Sequence, residues 1–113
     1  MPEFVAVPRG AGRRIAVIAS RFNESVVRRL VDGAVATLVA RGTALDDIDI
    51  VWVPGAWELP VAARYLLESE RYDAIVALGA VIRGETRHFD YIAGESARGL
   101  QQLMLDVGVP IAF

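Results

Sequence analysis

The sequence predicts an α/β fold, a single parallel sheet of four strands with helices on both faces. Three observations predict it. Apolar runs of strand length recur at residues 15–19, 48–53 and 74–78, and a fourth begins at residue 110. The first run does not alternate with polar residues, as a strand covered on both faces does not. Between the runs, apolar residues fall at helical spacing. The order β-α-β-α-β-α-β then requires right-handed crossovers within one sheet.

The elements follow in order. Residues 1–12 are an arm rich in Pro and Gly, and residues 13–113 form the folded domain. After the first strand, residues 20–24 are a polar loop holding one aromatic, Phe22, and Asn23 is of a type that caps helices. Over residues 25–41, Val27, Leu30, Val31, Ala34, Val35 and Leu38 mark one helix face, and Gly42 sits where that helix stops. The turn after the second strand, residues 54–60, leads into a helix with Pro60 in its first turn. That helix turns Ala63, Leu66 and Leu67 inward and ends near Glu70. The third strand is prolonged by residues 79–82. Residues 83–87 are a loop, followed by a helix over 88–107 whose buried stripe is Ile92, Ser96, Leu100, Leu103 and Met104. This is a flavodoxin-like three-layer sandwich around a four-stranded parallel sheet. In such sheets ligands bind beyond the carboxyl ends of the strands, where all three loops lie.

Composition bounds the function. The chain has 113 residues, 54% of them apolar and 23% charged, which suits one compact domain. A net charge of -2 and the lack of a basic run give no electrostatic case for nucleic acid or an anionic membrane. The apolar runs are too short to span a bilayer, and the N-terminus lacks the long apolar core of a secretory signal. With no Cys and one His, thiolate chemistry and a multi-histidine metal site within one chain are excluded. The expectation is a cytoplasmic protein working without metal. The apolar content is high for so small a domain, which fits subunit contacts as well as buried parallel strands.

Several loop residues could carry chemistry. In the segment 83–88, Gly84 would let backbone approach a ligand, and free N–H groups at the helix start would bind an anion. Thr86 adds a hydroxyl, and Arg83 and Arg87 add positive charge, which together suggest a phosphate. Taken alone, the segment reads more readily as an ordinary helix start capped by Thr86. His88 falls in the first helical turn, where the dipole disfavours imidazolium. A neutral ring there could accept and return a proton. A lone histidine is otherwise a surface or packing residue. Phe22 could stack on a planar heterocycle or act as a hydrophobic lid. Glu58 could accept hydrogen bonds from sugar hydroxyls or cap the following helix. Trp52 and Trp57 read as packing, and Asp90 and Glu95 as a solvated helix face.

Three segments taken together go further: 20–24 (SRFNE), 53–60 (VPGAWELP) and 77–92 (ALGAVIRGETRHFDYI). In order, spacing and position at strand ends they resemble lumazine synthase, and the resemblance runs from about residue 13 to residue 113. It implies condensation of 5-amino-6-ribitylamino-uracil with 3,4-dihydroxy-2-butanone 4-phosphate, releasing phosphate and water, in riboflavin biosynthesis. It implies no metal and no cofactor. By resemblance, Phe22 would stack on the pyrimidine, and Asn23, Ala56, Trp57 and Glu58 would hold the ribityl chain, Trp57 through its backbone. Val81 and Ile82 would lie along the ring. Gly84, Glu85 and Thr86 would cradle the phosphate, and His88 would move protons. Phe113 would reach into a neighbouring subunit's site, since family sites lie between adjacent chains.

The resemblance also implies a homo-oligomer, a pentamer or decamer, with a sixty-subunit shell as a further possibility. Pro2 and Pro8 remove ladder donors from the arm, which in family shells adds a strand to a neighbour, and so point to the smaller assemblies. Family chains continue past the fourth strand into two further helices, with an arginine that pairs with the substrate phosphate. The expectation is that this molecule does so too, because a sheet ending in a buried strand leaves ladder groups uncovered. The alternatives are a related riboflavin synthase acting on two lumazine molecules, a non-catalytic flavin- or lumazine-binding scaffold, and a generic flavin mononucleotide module. The match at Gly84, Glu85 and Thr86 argues against the first and the presence of His88 against the second, while tight binding of flavin mononucleotide would favour the third.

Overall fold

In a computed structural model that describes residues 1–113, the four strands are β1 (Ile15–Ser20), β2 (Ile48–Val53), β3 (Ala74–Leu78) and β4 (Ile111–Ala112). All pairings are parallel, and the spatial order is β2-β1-β3-β4. Ile15 pairs with Ile48 on one side and Ala74 on the other, so β1 has a neighbour along both edges. Every residue of β1 is buried. That explains why its sequence shows no alternation, because neither face meets water.

The two faces of β1 carry two separate cores. Ile15, Val17 and Ala19 pack with Val27 and Val31 of α1 (Glu24–Ala40). Ala16 and Ile18 pack on the opposite face with Leu59, Ala63 and Leu67 of α2 (Leu59–Glu68) and Leu100 of α3 (His88–Val107). The period-2 alternation of a strand thus divides one apolar run between two helical layers. The middle layer is the sheet, as the sequence predicts.

Several element ends differ from expectation. Residues 79–82 do not prolong β3. An apolar run becomes strand only where a neighbour supplies ladder partners. The β1–β3 ladder ends at Ala19 and Leu78, and the β3–β4 ladder ends at Val76 and Ala112. The helix α1 starts at Glu24, one residue early, and α2 ends at Glu68, with Glu70 turned to φ 57°. Asn23 occupies the N-cap position of α1 at φ 59°, but its side chain makes no capping bond. Gly42, at φ 101°, follows the α1 C-cap Arg41, the left-handed position that favours glycine.

The first nine residues are exposed and have no regular structure. The arm is anchored at Gly10, whose amide donates to Arg41 O at 2.8 Å and whose carbonyl accepts from the buried Thr43 hydroxyl at 3.2 Å. At the amino edge of the sheet, the Tyr72 hydroxyl donates to Asp49 at 2.6 Å. Asp49 also lies 3.6 Å from Arg14 and 3.7 Å from Arg71. The hydrogen bond to Asp49, then partial burial, then the charge of Asp49 raise the Tyr72 phenol above its ordinary value of 10.0. No helix is long and apolar enough to cross a membrane.

Candidate active site

Three loops leave the carboxyl edge of the sheet after β1, β2 and β3. Order β2-β1-β3-β4 means that the chain winds outward from β1 first one way and then the other. The crevice over β1 and β3 is therefore the switch point where such sheets take ligands.

Hydrogen bonds stitch the three loops together. The Arg21 and Phe22 amides donate to Val53 O at 2.7 Å and Pro54 O at 3.0 Å, joining the first loop to the second. The Asn23 side-chain amide donates to Ala80 O at 3.1 Å, joining the first to the third. The buried Ser96 hydroxyl of α3 donates to Ala56 O at 2.8 Å, holding the second loop against the helix that follows the third. The Glu58 carboxylate accepts the Gly55 amide at 3.0 Å and closes the short 3₁₀ turn Ala56–Glu58 on itself.

These contacts enclose a cleft of about 270 Å³, a modest size for a ligand site. Its walls are Phe22 from the first loop, Pro54, Gly55, Ala56 and Trp57 from the second, and Ala80, Val81 and Ile82 from the third. His88, Phe89 and Ile92 of α3 complete them. Phe22, Trp57 and Ile82 are 67%, 56% and 65% exposed. Large apolar side chains gathered this openly around one hollow offer flat contact surface to a planar ligand. His88 is the cleft's only group of ordinary acid–base use, and its exposure leaves the ring accessible. The Thr86 hydroxyl accepts the His88 amide at 3.3 Å, but the N-cap position of α3 is Arg87 and carries no side-chain capping bond, so Thr86 is not the cap.

The sequence-predicted residues divide into two groups. The structure brings Phe22, Ala56, Trp57, Val81, Ile82 and His88 into one cleft. Asn23, Glu58, Gly84, Glu85, Thr86 and Phe113 are not among its walls. Asn23 and Glu58 have polar atoms engaged in positioning loops. Gly84, Glu85 and Thr86 are exposed beside the cleft's α3 end, nothing lies within 4 Å of a Cβ placed on Gly84, and Arg83 and Arg87 form no ion pair. Phe113 borders a separate hollow with Leu30, Ala77, Leu78 and Gly79.

Two readings need correction. Trp57 does not pack; it stands at the cleft. Trp52 does pack, half-buried against the α1 core, with the Arg21 and Arg28 guanidinium groups 5.4 and 4.9 Å from its ring centre. Asn23 bonds across the fold instead of capping its helix. Arg28, opposed by desolvation and aided by Arg21, holds the Glu24 carboxyl below its ordinary 4.5. The pairing keeps Arg21 directed along α1.

Phe89 was missed as a wall residue. The signal was present, because Phe89 lies three residues before Ile92, on the same helix face.

Comparison with known proteins gives the family. Residues 12–113 match the family model described as 6,7-dimethyl-8-ribityllumazine synthase. A 6,7-dimethyl-8-ribityllumazine synthase from Gemmatimonas aurantiaca is 63% identical over all 113 residues, which span 69% of that relative's length. Among solved structures, a LacI-family transcriptional regulator from Burkhoderia phymatum is similar, with a TM-score of 0.52 and 23% identity. That likeness covers 81% of this chain and 31% of the regulator, and it concerns the fold alone. On the family match and the relative's identity, the chain belongs to the 6,7-dimethyl-8-ribityllumazine synthase family, the transferases that form this lumazine in riboflavin biosynthesis.

Proposed function

We propose that this chain condenses 5-amino-6-(D-ribitylamino)uracil with 3,4-dihydroxy-2-butanone 4-phosphate, releasing phosphate and water. The observation that carries the residue assignment is the shared cleft of Phe22 and His88, which puts an aromatic wall and a proton carrier on one ligand space.

The pyrimidine stacks on Phe22, with Val81 and Ile82 along its edge. The ribityl chain runs past Ala56 and the backbone of Trp57 toward Asn23 and the free oxygen of Glu58. The phosphate binds at the start of α3, where the backbone of Gly84, Glu85 and Thr86 offers N–H groups and the dipole favours an anion. Arg83 and Arg87 add charge there.

The chemistry joins an amine to a ketone. These 113 residues contain no lysine, so they offer no side-chain amine to form an imine with the butanone. The C=N bond forms directly between the two substrates. The substrate amine attacks the ketone carbonyl, and water leaves to give the imine. Loss of phosphate follows, and the second amine then closes the ring with loss of water. Each step moves a proton on or off nitrogen, carbon or oxygen, and His88 is the group placed to do it. Holding the two reactants together supplies most of the acceleration, and proton transfer adds about 10²–10⁴-fold.

The protein works as a homo-oligomer, a pentamer or a pair of pentamers, in the cytoplasm. Phe113, exposed and outside the chain's own cleft, then completes the site of an adjacent copy.

His88→Ala tests the assignment. Turnover should fall by about 10²–10⁴-fold, while the binding of a ribityl-pyrimidine measured by calorimetry changes little. Full turnover by the variant overturns the role of His88.

A further inference from the structure

We propose that Ser96 is a positioning residue that sets the width of the cleft by locking the Trp57 turn to the helix that bears His88. This rests on the catalytic reading above.

On α3, His88, Ile92 and Ser96 are spaced by four residues, and Gly99 follows three later, so all four share one face. The first two line the cleft. The third bonds to Ala56 O at 2.8 Å, across 40 residues of sequence and fully out of water. The fourth sits under the start of α2, where a Cβ on Gly99 would lie 2.9 and 3.0 Å from the Pro60 ring. One stripe therefore forms one wall of the site and also grips the opposite wall. The turn it grips is already rigid, because Glu58 accepts the Gly55 amide and the Glu58 amide donates to Gly55 O at 3.1 Å. The first loop holds the turn from the other side, through the Phe22 amide on Pro54 O, and Ser96 supplies its hydrogen bond to α3, so losing that bond frees the turn, and Trp57 with it, to shift away from the helix.

The hydroxyl is not needed merely to satisfy the carbonyl. Ala56 O also accepts the Leu59 amide at the end of the turn. Removing the Ser96 hydroxyl leaves no orphaned acceptor, so the fold should survive while the link between the walls is lost.

Ser96→Ala and Ser96→Cys are compared with wild type and with Leu67→Ala. Leu67 is a buried residue of the same core but not of the cleft. Two readouts are taken: steady-state lumazine formation with each substrate varied, and amide hydrogen exchange over residues 56–59. Ser96→Ala should lose about ten-fold or more in kcat/KM, since a shift of about 1 Å is enough to cost that. The loss should divide between a raised KM for the uracil substrate and a lowered kcat, with faster exchange in the turn. The thiol of Ser96→Cys, a weaker donor, should recover part of both. Leu67→Ala should lower the melting temperature without moving either readout. Wild-type kinetics and exchange in Ser96→Ala, or the same kinetic loss in Leu67→Ala, would overturn the proposal. If wild type makes no lumazine, the catalytic reading fails. The exchange arm still decides the clamp, because an unchanged turn in Ser96→Ala refutes it.

Discussion

Replacing Gly99 by Ala sets two known effects against each other at one place. Alanine is favoured over glycine inside a helix by about 0.8–1 kcal/mol, and Gly99 lies in the interior of α3. Against this, the new methyl would meet two Pro60 ring carbons at 2.9 and 3.0 Å. Carbon pairs settle at about 3.5–4.0 Å, so α2 and α3 must part by roughly half an ångström or more. The proline ring has no rotamer by which to retreat. Overpacking of this kind costs about 1–3 kcal/mol, and the net effect is a destabilisation of about 1 kcal/mol. With roughly 2.1 cal/mol/K of unfolding entropy per residue, that lowers the melting temperature by about 4 °C. The control is Gly94→Ala on the same helix, where nothing lies within 4 Å of the added Cβ. It keeps the propensity gain alone and should raise the melting temperature by about 3–4 °C. Thermal unfolding followed by circular dichroism, at fixed protein concentration so that association does not shift the midpoint, reads both. If Gly99→Ala melts at or above wild type, the close approach of α3 to Pro60 is wrong, and with it the seating of the cleft's two walls.

Other outcomes follow from the same structure. Phe22→Ala should raise KM for the uracil substrate about ten-fold, the loss of one aromatic stack of about 1.5 kcal/mol at most. Its stability should change little, because the ring is 67% exposed; steady-state kinetics showing an unchanged KM would remove Phe22 from the site. The Tyr72 phenol is raised in the folded state, so its contribution is complete below the unfolded value near 10.0 and is lost as pH climbs through the folded one. The stability gap between wild type and Tyr72→Phe, from urea unfolding, should hold steady below pH 10 and shrink above it. A gap that stays constant into strong alkali would mean that the bond to Asp49 is not made in solution.

What the sequence discloses depends on whether the cause is local. The bounds of β2 and α3 are legible because apolar spacing along a few turns or a few strand residues decides them. The run at residues 79–82 is as apolar as a strand yet is not one, since strand formation is decided by a neighbour that the run itself does not encode. Asn23 fails as a cap for a similar reason. Its amide finds an acceptor at Ala80, 57 residues away, and no local pattern announces that bond. The site shows the same division. Phe22, Trp57 and His88 are readable as loop-end residues near one sheet edge, and three strand ends must converge in a parallel sheet. Which way each side chain turns is not readable. Glu58 and Asn23 belong to the same loops, but their polar atoms reach backbone groups that only the folded chain brings within range.

The central place of β1 bears on how the chain is made. Of the four strands, the earliest in the sequence is also the one that no water touches. One of its two partners, β3, begins 59 residues later, as the bond from Arg14 to Asp73 marks. At about 5–20 residues per second, the segment Ile15–Ser20 waits roughly 3–12 s before that partner is synthesised. Through that interval a strand that the finished fold buries completely has an unpaired edge, the kind of segment that aggregates. A fold built outward from the earliest of these four strands therefore makes early exposure of part of its core a feature of its biosynthesis.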